Sequence, residues 1–167
     1  MVHPPSSVSP SFDRVRAVEW VGDRLRLLDQ RLLPLREEYS HFDTVAGVVQ
    51  AIRDMLVRGA PAIGIAAAYG VVLAARERYR LDPKIWARAI DADLAALNAS
   101  RPTAVNLAWA VARMRRVIDS GLRGDPVPAL LEEAQTIHAE DVAANRAMGR
   151  FGAELIAPSM VAGRRPP

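Results

Sequence analysis

From about residue 43 onward the apolar positions recur at helical spacing, whereas the residues before it form short runs of a different kind. There, VRAVEW and RLRLLDQ flank Val21-Gly22-Asp23, and both runs are rich in residues that suit a pleated sheet, which predicts a β-hairpin. EEYSHF adds a third short strand, and Pro34 fits the turn before it. Asp43 or Thr44 then caps a helix carrying Val45, Val48, Val49, Ile52, Met55 and Leu56 on one face. Gly59 ends that helix, Pro61 suits the first turn of the next, and this second helix continues to about Arg80. A third helix starts at Asp82-Pro83 and runs through Trp86, Ile90, Leu94 and Leu97 to the turn residues of NASRPT. Thr103 caps a fourth, with Leu107, Val111, Met114 and Ile118 on its inner face and Gly121 and Gly124 at its end. A fifth spans about Pro128 to Phe151, its inner stripe being Leu130, Ala134, Ile137, Ala144 and Met148.

The predicted fold is therefore α+β and mostly α: a short N-terminal hairpin or small antiparallel sheet followed by about five helices. Residues 12–151 form one domain, residues 1–11 a disordered tail rich in proline and serine, and residues 152–167 a connector without periodicity. Half of the 167 residues are hydrophobic, with few aromatics and much alanine, so the core is expected to consist of closely approaching helices. The uncharged run from Gly59 to Ala75 contains Pro61, Gly64 and Gly70 and falls short of the roughly 20 apolar residues a bilayer needs. A buried helix is the expectation, with no membrane partner and a cytoplasmic location as the default.

Charge narrows the partners further. The net charge is +3 and Lys84 is the only lysine, but the arginines are spread along the chain beside acidic residues, as in IRDM and AARERYR. No basic stripe with interleaved aromatics marks a nucleic-acid surface. There is no cysteine, which removes disulfides, thiolate metal sites and cysteine nucleophiles from this chain. His138, Asp141 and Asn145 share a polar face of the fifth helix, but no second histidine stands at ligand spacing, so no metal site is expected.

The candidate chemistry lies at two helix starts. In RGAPAIGIAAAYG, Arg58 can pair with a phosphate, Gly59 lets the backbone approach an oxyanion, Ala60 offers an N–H without bulk, and Pro61 fixes the entry. Arg101 repeats the arrangement in SRPTAVNL. Read from these properties alone, an ordinary helix start beside a surface arginine explains Arg58 better than an anion site does, and only the second arginine brings the two readings level. A shared site requires the two helices to be neighbours.

IRDMLVRGAPAIGIAAAYG, SRPTAVNLAWAV and EDVAANRAMGRFGAELI together resemble the methylthioribose-1-phosphate isomerase family, from about Val15 to Ile156. Ribose-1,5-bisphosphate isomerases and regulatory subunits of translation initiation factor 2B share the wider family. The resemblance implies a sugar-phosphate isomerase that needs no cofactor and is homodimeric at full length, with an N-terminal domain like the one predicted above and a C-terminal Rossmann-like domain. It places substrate binding on Arg58, Gly59, Ala60 and Arg101. The family's catalytic cysteine and aspartate belong to the C-terminal domain, so this chain is expected to be an N-terminal fragment that ends in a truncated connector and contains no catalytic residue. A bisphosphate isomerase and a non-catalytic interaction subunit remain the alternatives.

Overall fold

The computed structural model describes the backbone of residues 15–161 and the side chains as far as residue 156. The predicted tail, residues 1–11, lies outside the described residues. Strands β1 (Val18–Val21), β2 (Arg24–Leu28) and β3 (Tyr39–Phe42) form an antiparallel sheet in the order β1-β2-β3, with Val18 opposite Leu27 and Leu25 opposite Phe42. The helices are α1 (Val45–Arg53), α2 (Ala60–Leu81), α3 (Trp86–Ala89), α4 (Asp91–Ser100), α5 (Val105–Asp119) and α6 (Val127–Val161). This is the α+β, mostly helical arrangement expected from the sequence, with several helix boundaries changed.

α2 organises the rest. It has the length and composition to cross a bilayer, yet every residue from Ile63 to Ala75 is buried by α1, α4, α5, α6 and the sheet. Small side chains allow the close approach. A Cβ on Gly70 would lie 3.1 Å from both Leu97 of α4 and Val48 of α1, so neighbours on two sides already fill the space. Where α2 becomes polar, its arginines fasten the surroundings. Arg76 donates to the backbone carbonyls of Asp23, in the hairpin turn, and Asp43, before α1. Arg78 forms a two-pronged pair with the buried Asp93 of α4, both contacts at 2.7 Å.

Three boundaries differ from the sequence reading. α1 stops at Arg53, because Met55 turns into the left-handed region at φ 58°. Met55 N–H then donates to Ile52 and Leu56 N–H to Ala51, a Schellman closure that buries Leu56 but leaves Met55 exposed. The expected third helix begins later, since Asp82 accepts from Lys84 N–H in a turn, and it breaks at Ile90 into α3 and α4. Trp86, Ile90, Leu94 and Leu97 are nevertheless all buried, as the spacing predicts.

The fifth predicted helix, α6, does not end at Phe151 but continues to Val161, over about 50 Å. Its inner stripe is buried only at Leu130, Ala134 and Ile137. Ala144 and Met148, expected inside, are exposed, Ala144 because a cavity opens there between α6 and the starts of α2 and α5, and Phe151 and Leu155 are exposed as well.

The Met55 turn supplies a direct test. A side chain in the left-handed region carries strain on the order of 1 kcal/mol, which exceeds the added chain entropy of glycine. Met55→Gly is therefore expected to raise stability by about 0.5 kcal/mol in chemical denaturation. A loss would show that the side chain contributes packing the exposed position does not suggest.

Candidate functional site

The start of α2 is built to leave backbone donors open. Gly59 adopts φ 89°, a conformation that disfavours any side chain, and serves as the N-cap without a side-chain acceptor. Ile63 N–H turns back to the Gly59 carbonyl, while the N–H groups of Ala60 and Ala62 have no intrahelical acceptor and Pro61 has none to donate. Arg58 and Ala60 are exposed beside them.

α5 starts in the same way, one residue later than the sequence suggested. A hydrogen bond of 2.9 Å from Ala104 N–H to the Arg101 carbonyl closes a turn over Pro102 and Thr103. That turn moves the N-cap to Ala104, so Thr103 does not cap, and the helix begins with no side-chain acceptor at its end. The contrast is α1, where Thr44 Oγ accepts from Gly47 N–H. Arg101 is half-buried at the head of this turn.

Packing makes the two starts neighbours. A Cβ on Gly64 would stand 2.8 Å from the Asn106 carbonyl oxygen, so only glycine lets the first turns of α2 and α5 touch this closely. Dipoles at both ends direct partial positive charge into the region. Among the described residues Arg58 and Arg101 form no ion pair, whereas Arg31, Arg78 and Arg115 are each bound to a carboxylate. Each helix start thus has open amides and an arginine without an ion pair near it in the chain, and neither Arg58 nor Arg101 lines the two cavities described below. Arg53, at the last turn of α1, is exposed.

A cavity of about 440 Å³ opens next to these helix starts, between Pro61, Gly64, Ile65, Trp109, Ile137 and Ala144. Glu140 and Asp141 of α6 complete its polar edge with Asn106. Arg113 binds Glu140 and Glu133, holding the Glu140 carboxyl below the usual carboxylate range, and lays its guanidinium over the Trp109 ring at 5.5 Å. Sequence reasoning missed this cavity, since Trp109 reads as one more residue of an amphipathic helix. Gly64 inside a helical run was the available signal.

On the other side of α6 a second cavity, of about 730 Å³, has Trp20, Tyr69, His138 and Asn145 among its walls. Tyr69 stacks on Trp20 with centroids 5.5 Å apart, and its hydroxyl lies 3.4 Å from His138 Nδ1. Burial pushes the Tyr69 phenol up to about 12. His138, Asp141 and Asn145 do share a polar face, with Asn145 donating to the Asp141 carboxylate at 3.1 Å.

The sequence profile of the initiation factor 2 subunit family matches residues 56–162. The chain belongs to this family. Among the family's curated proteins, the methylthioribose-1-phosphate isomerase of Methylococcus capsulatus is 58% identical over 142 residues, 85% of this chain and 40% of the relative. That of Nitrosococcus oceani is 56% identical over 92% of this chain and 44% of its own length. Among solved structures, 5-methylthioribose 1-phosphate isomerase from Pyrococcus horikoshii superposes with a TM-score of 0.77 at 36% identity, over 83% of this chain and 40% of that one. Translation initiation factor eIF-2B, subunit delta, from A. fulgidus also gives 0.77, at 39% identity, over 84% and 42%. The chain spans about two fifths of the length of these relatives. The family resemblance carried by the three quoted motifs is thereby established.

The half-buried imidazole of His138 yields a pH test. Burial lowers the His138 pKa, outweighing the nearby Asp141, while Arg16 adds to the lowering and Glu19 opposes it. The unfolded chain therefore takes up this proton first as pH falls, and the stability present above the ordinary histidine value of about 6.5 is lost below it. Denaturation midpoints at pH 7.5 and 5.5 are expected to differ more for the native sequence than for His138→Gln. Equal differences would mean that other groups carry the slope.

Proposed function

We propose that this chain is the phosphate-binding part of a methylthioribose-1-phosphate isomerase, a longer cytoplasmic enzyme of methionine salvage that is homodimeric at full length. The observation that supports this most is the contact of Gly64 with the Asn106 carbonyl, which sets the two uncapped helix starts beside Arg58 and Arg101 against each other. In this reading Arg58, Arg101 and the amides of Gly59 and Ala60 hold the substrate phosphate. The relatives' names supply the sugar. Residues 12–151 are the binding domain, and the far end of α6 belongs to the connector toward a Rossmann-like domain.

The substrate chemistry explains why a firm grip on the phosphate is needed. An aldose with a free anomeric hydroxyl opens spontaneously, but here that oxygen is esterified. Opening the ring to reach the ketose 1-phosphate requires a general acid and movement of hydrogen from C2 to C1. Fixed cations and amides hold the ring in place during those steps at no cost in reorganisation. The acid and the cysteine implied by the family resemblance are not in this binding domain, and the chain has no cysteine at all.

Titration with inorganic phosphate tests the grip. Arg58→Ala and Arg101→Ala are each expected to weaken binding about tenfold or more, the loss of one charge-assisted contact. Arg53→Ala should leave it within about twofold, as for an isolated surface charge. A series in which Arg53 matters more than both others would overturn the proposal.

The second test is turnover. The purified chain, free of host isomerase, is expected to form no ketose phosphate, and measurable conversion would place the catalytic groups within these residues. A second reading, a non-catalytic subunit like the eIF-2B relative, would instead leave phosphate binding unaffected by all three arginine substitutions.

A further inference from the structure

The larger cavity, on the other side of α6, runs along the open edge of the sheet. Val18, Glu19 and Trp20 all line it, and because successive residues of a strand point to opposite faces, it meets β1 along its edge. Leu28 N–H donates to the Ala17 carbonyl at 3.0 Å, and Val18 stands opposite Leu27. Bonded and non-bonded pairs alternate along an antiparallel ladder, so Glu19 and Val21 bond to β2, whereas Val18 and Trp20 direct their N–H and C=O groups to the free edge. No described strand continues the sheet there. The facing wall is α6.

The side chains around this edge differ in charge and polarity. Trp20, stacked on Tyr69 with centroids 5.5 Å apart, gives an aromatic floor. Asn145 donates to one carboxylate oxygen of Asp141 at 3.1 Å and leaves the other open. Arg146, roughly 7.5 Å further along α6, is exposed and pairs with no carboxylate among the described residues. Glu19 is met by Arg26 at 2.8 Å, and burial keeps His138 neutral at pH 7. Apart from Arg16, ahead of β1, the cavity therefore offers one open cation, one open carboxylate, a backbone edge and an aromatic surface.

A free α-amino acid carries the complement of all four on a few atoms. Its carboxylate suits Arg146 and its ammonium suits Asp141, and both can bond to the strand edge. A large apolar side chain then covers the Trp20 floor. An anion alone meets a like charge in Asp141, and an amine alone meets one in Arg146. The volume of about 730 Å³ is that of a small-molecule site. We infer that this cavity binds a free α-amino acid with an aromatic or bulky apolar side chain, held by Arg146 and Asp141 at its two charges and by Trp20 at its side chain. Arg58 and Arg101 take no part in it.

The experiment is a calorimetric titration of the chain with L-phenylalanine, L-alanine, N-acetyl-L-phenylalanine and L-phenylalaninamide. The acetyl and amide forms, each lacking one charge, are expected to bind at least about tenfold more weakly than L-phenylalanine, and L-alanine, lacking the ring, likewise. Arg146→Ala should weaken L-phenylalanine about tenfold but change the amide by less than about twofold, because the amide has no carboxylate to lose. Asp141→Asn should show the same contrast between L-phenylalanine and the acetyl form. A Kd for L-phenylalanine above about 1 mM, equal binding of the charged and capped forms, or losses that both substitutions impose on every compound alike would overturn the inference. Tighter binding of N-acetyl-phenylalanyl-phenylalaninamide than of the free amino acid would assign the edge to strand addition by a polypeptide and overturn it as well.

Discussion

The constraint on which the domain depends is the absence of any charged side chain from Ile63 to Ala75. A helix with no outward face must be enclosed, and enclosure on several sides requires small residues where neighbours cross. Gly70 meets this need toward α1 and α4, and Gly64 toward α5. The same packing rule that closes the core therefore brings the first turn of α5 against the first turn of α2. The candidate site lies at the edge of the core because the helices that build it are locked together a turn further in.

Arginine is used in two ways around that core. Arg76, Arg78 and Arg113 are spent on structure: each joins two elements through carbonyls or carboxylates. Arg58 and Arg101 stand instead in turns followed by helix starts, without a carboxylate partner among the described residues. The separation follows from local sequence. The structural arginines lie within helices, where they reach carboxylates or carbonyls of other elements, whereas the turn arginines precede glycine or proline and have no carboxylate partner among the described residues.

Much of this was legible from spacing alone. The three strands, a cap at one of Asp43 and Thr44, and the buried face of α5 all follow from local patterns of side chains. What was not legible depends on tertiary geometry. Met55 fits the apolar spacing of α1 but sits where the chain reverses, because closing the helix over Leu56 outweighs the strain of a left-handed methionine. Thr103 resembles a cap until the Arg101 turn moves the helix start past it. Ala144 and Met148 continue the spacing of Leu130, Ala134 and Ile137, and periodicity cannot say where the partner helices end. The cavity at Trp109 exists only once α2, α5 and α6 are assembled.

α6 joins two environments in one continuous helix. From Leu130 to Ile137 it is pressed against the core, and Val142, Met148, Phe151, Leu155 and Ile156 are exposed. An unsupported helix of about 15 to 20 residues is marginal in water, so the outer part derives its order mainly from its own hydrogen bonds and from being extended from a fixed end. Amide protons along this one element should accordingly fall into two classes of exchange. Those of the inner turns are released only when the whole domain opens, and those from Met148 to Ile156 by local opening of turns that no other described element covers. The helix thus contains a boundary between two cooperative units that no break in its backbone marks.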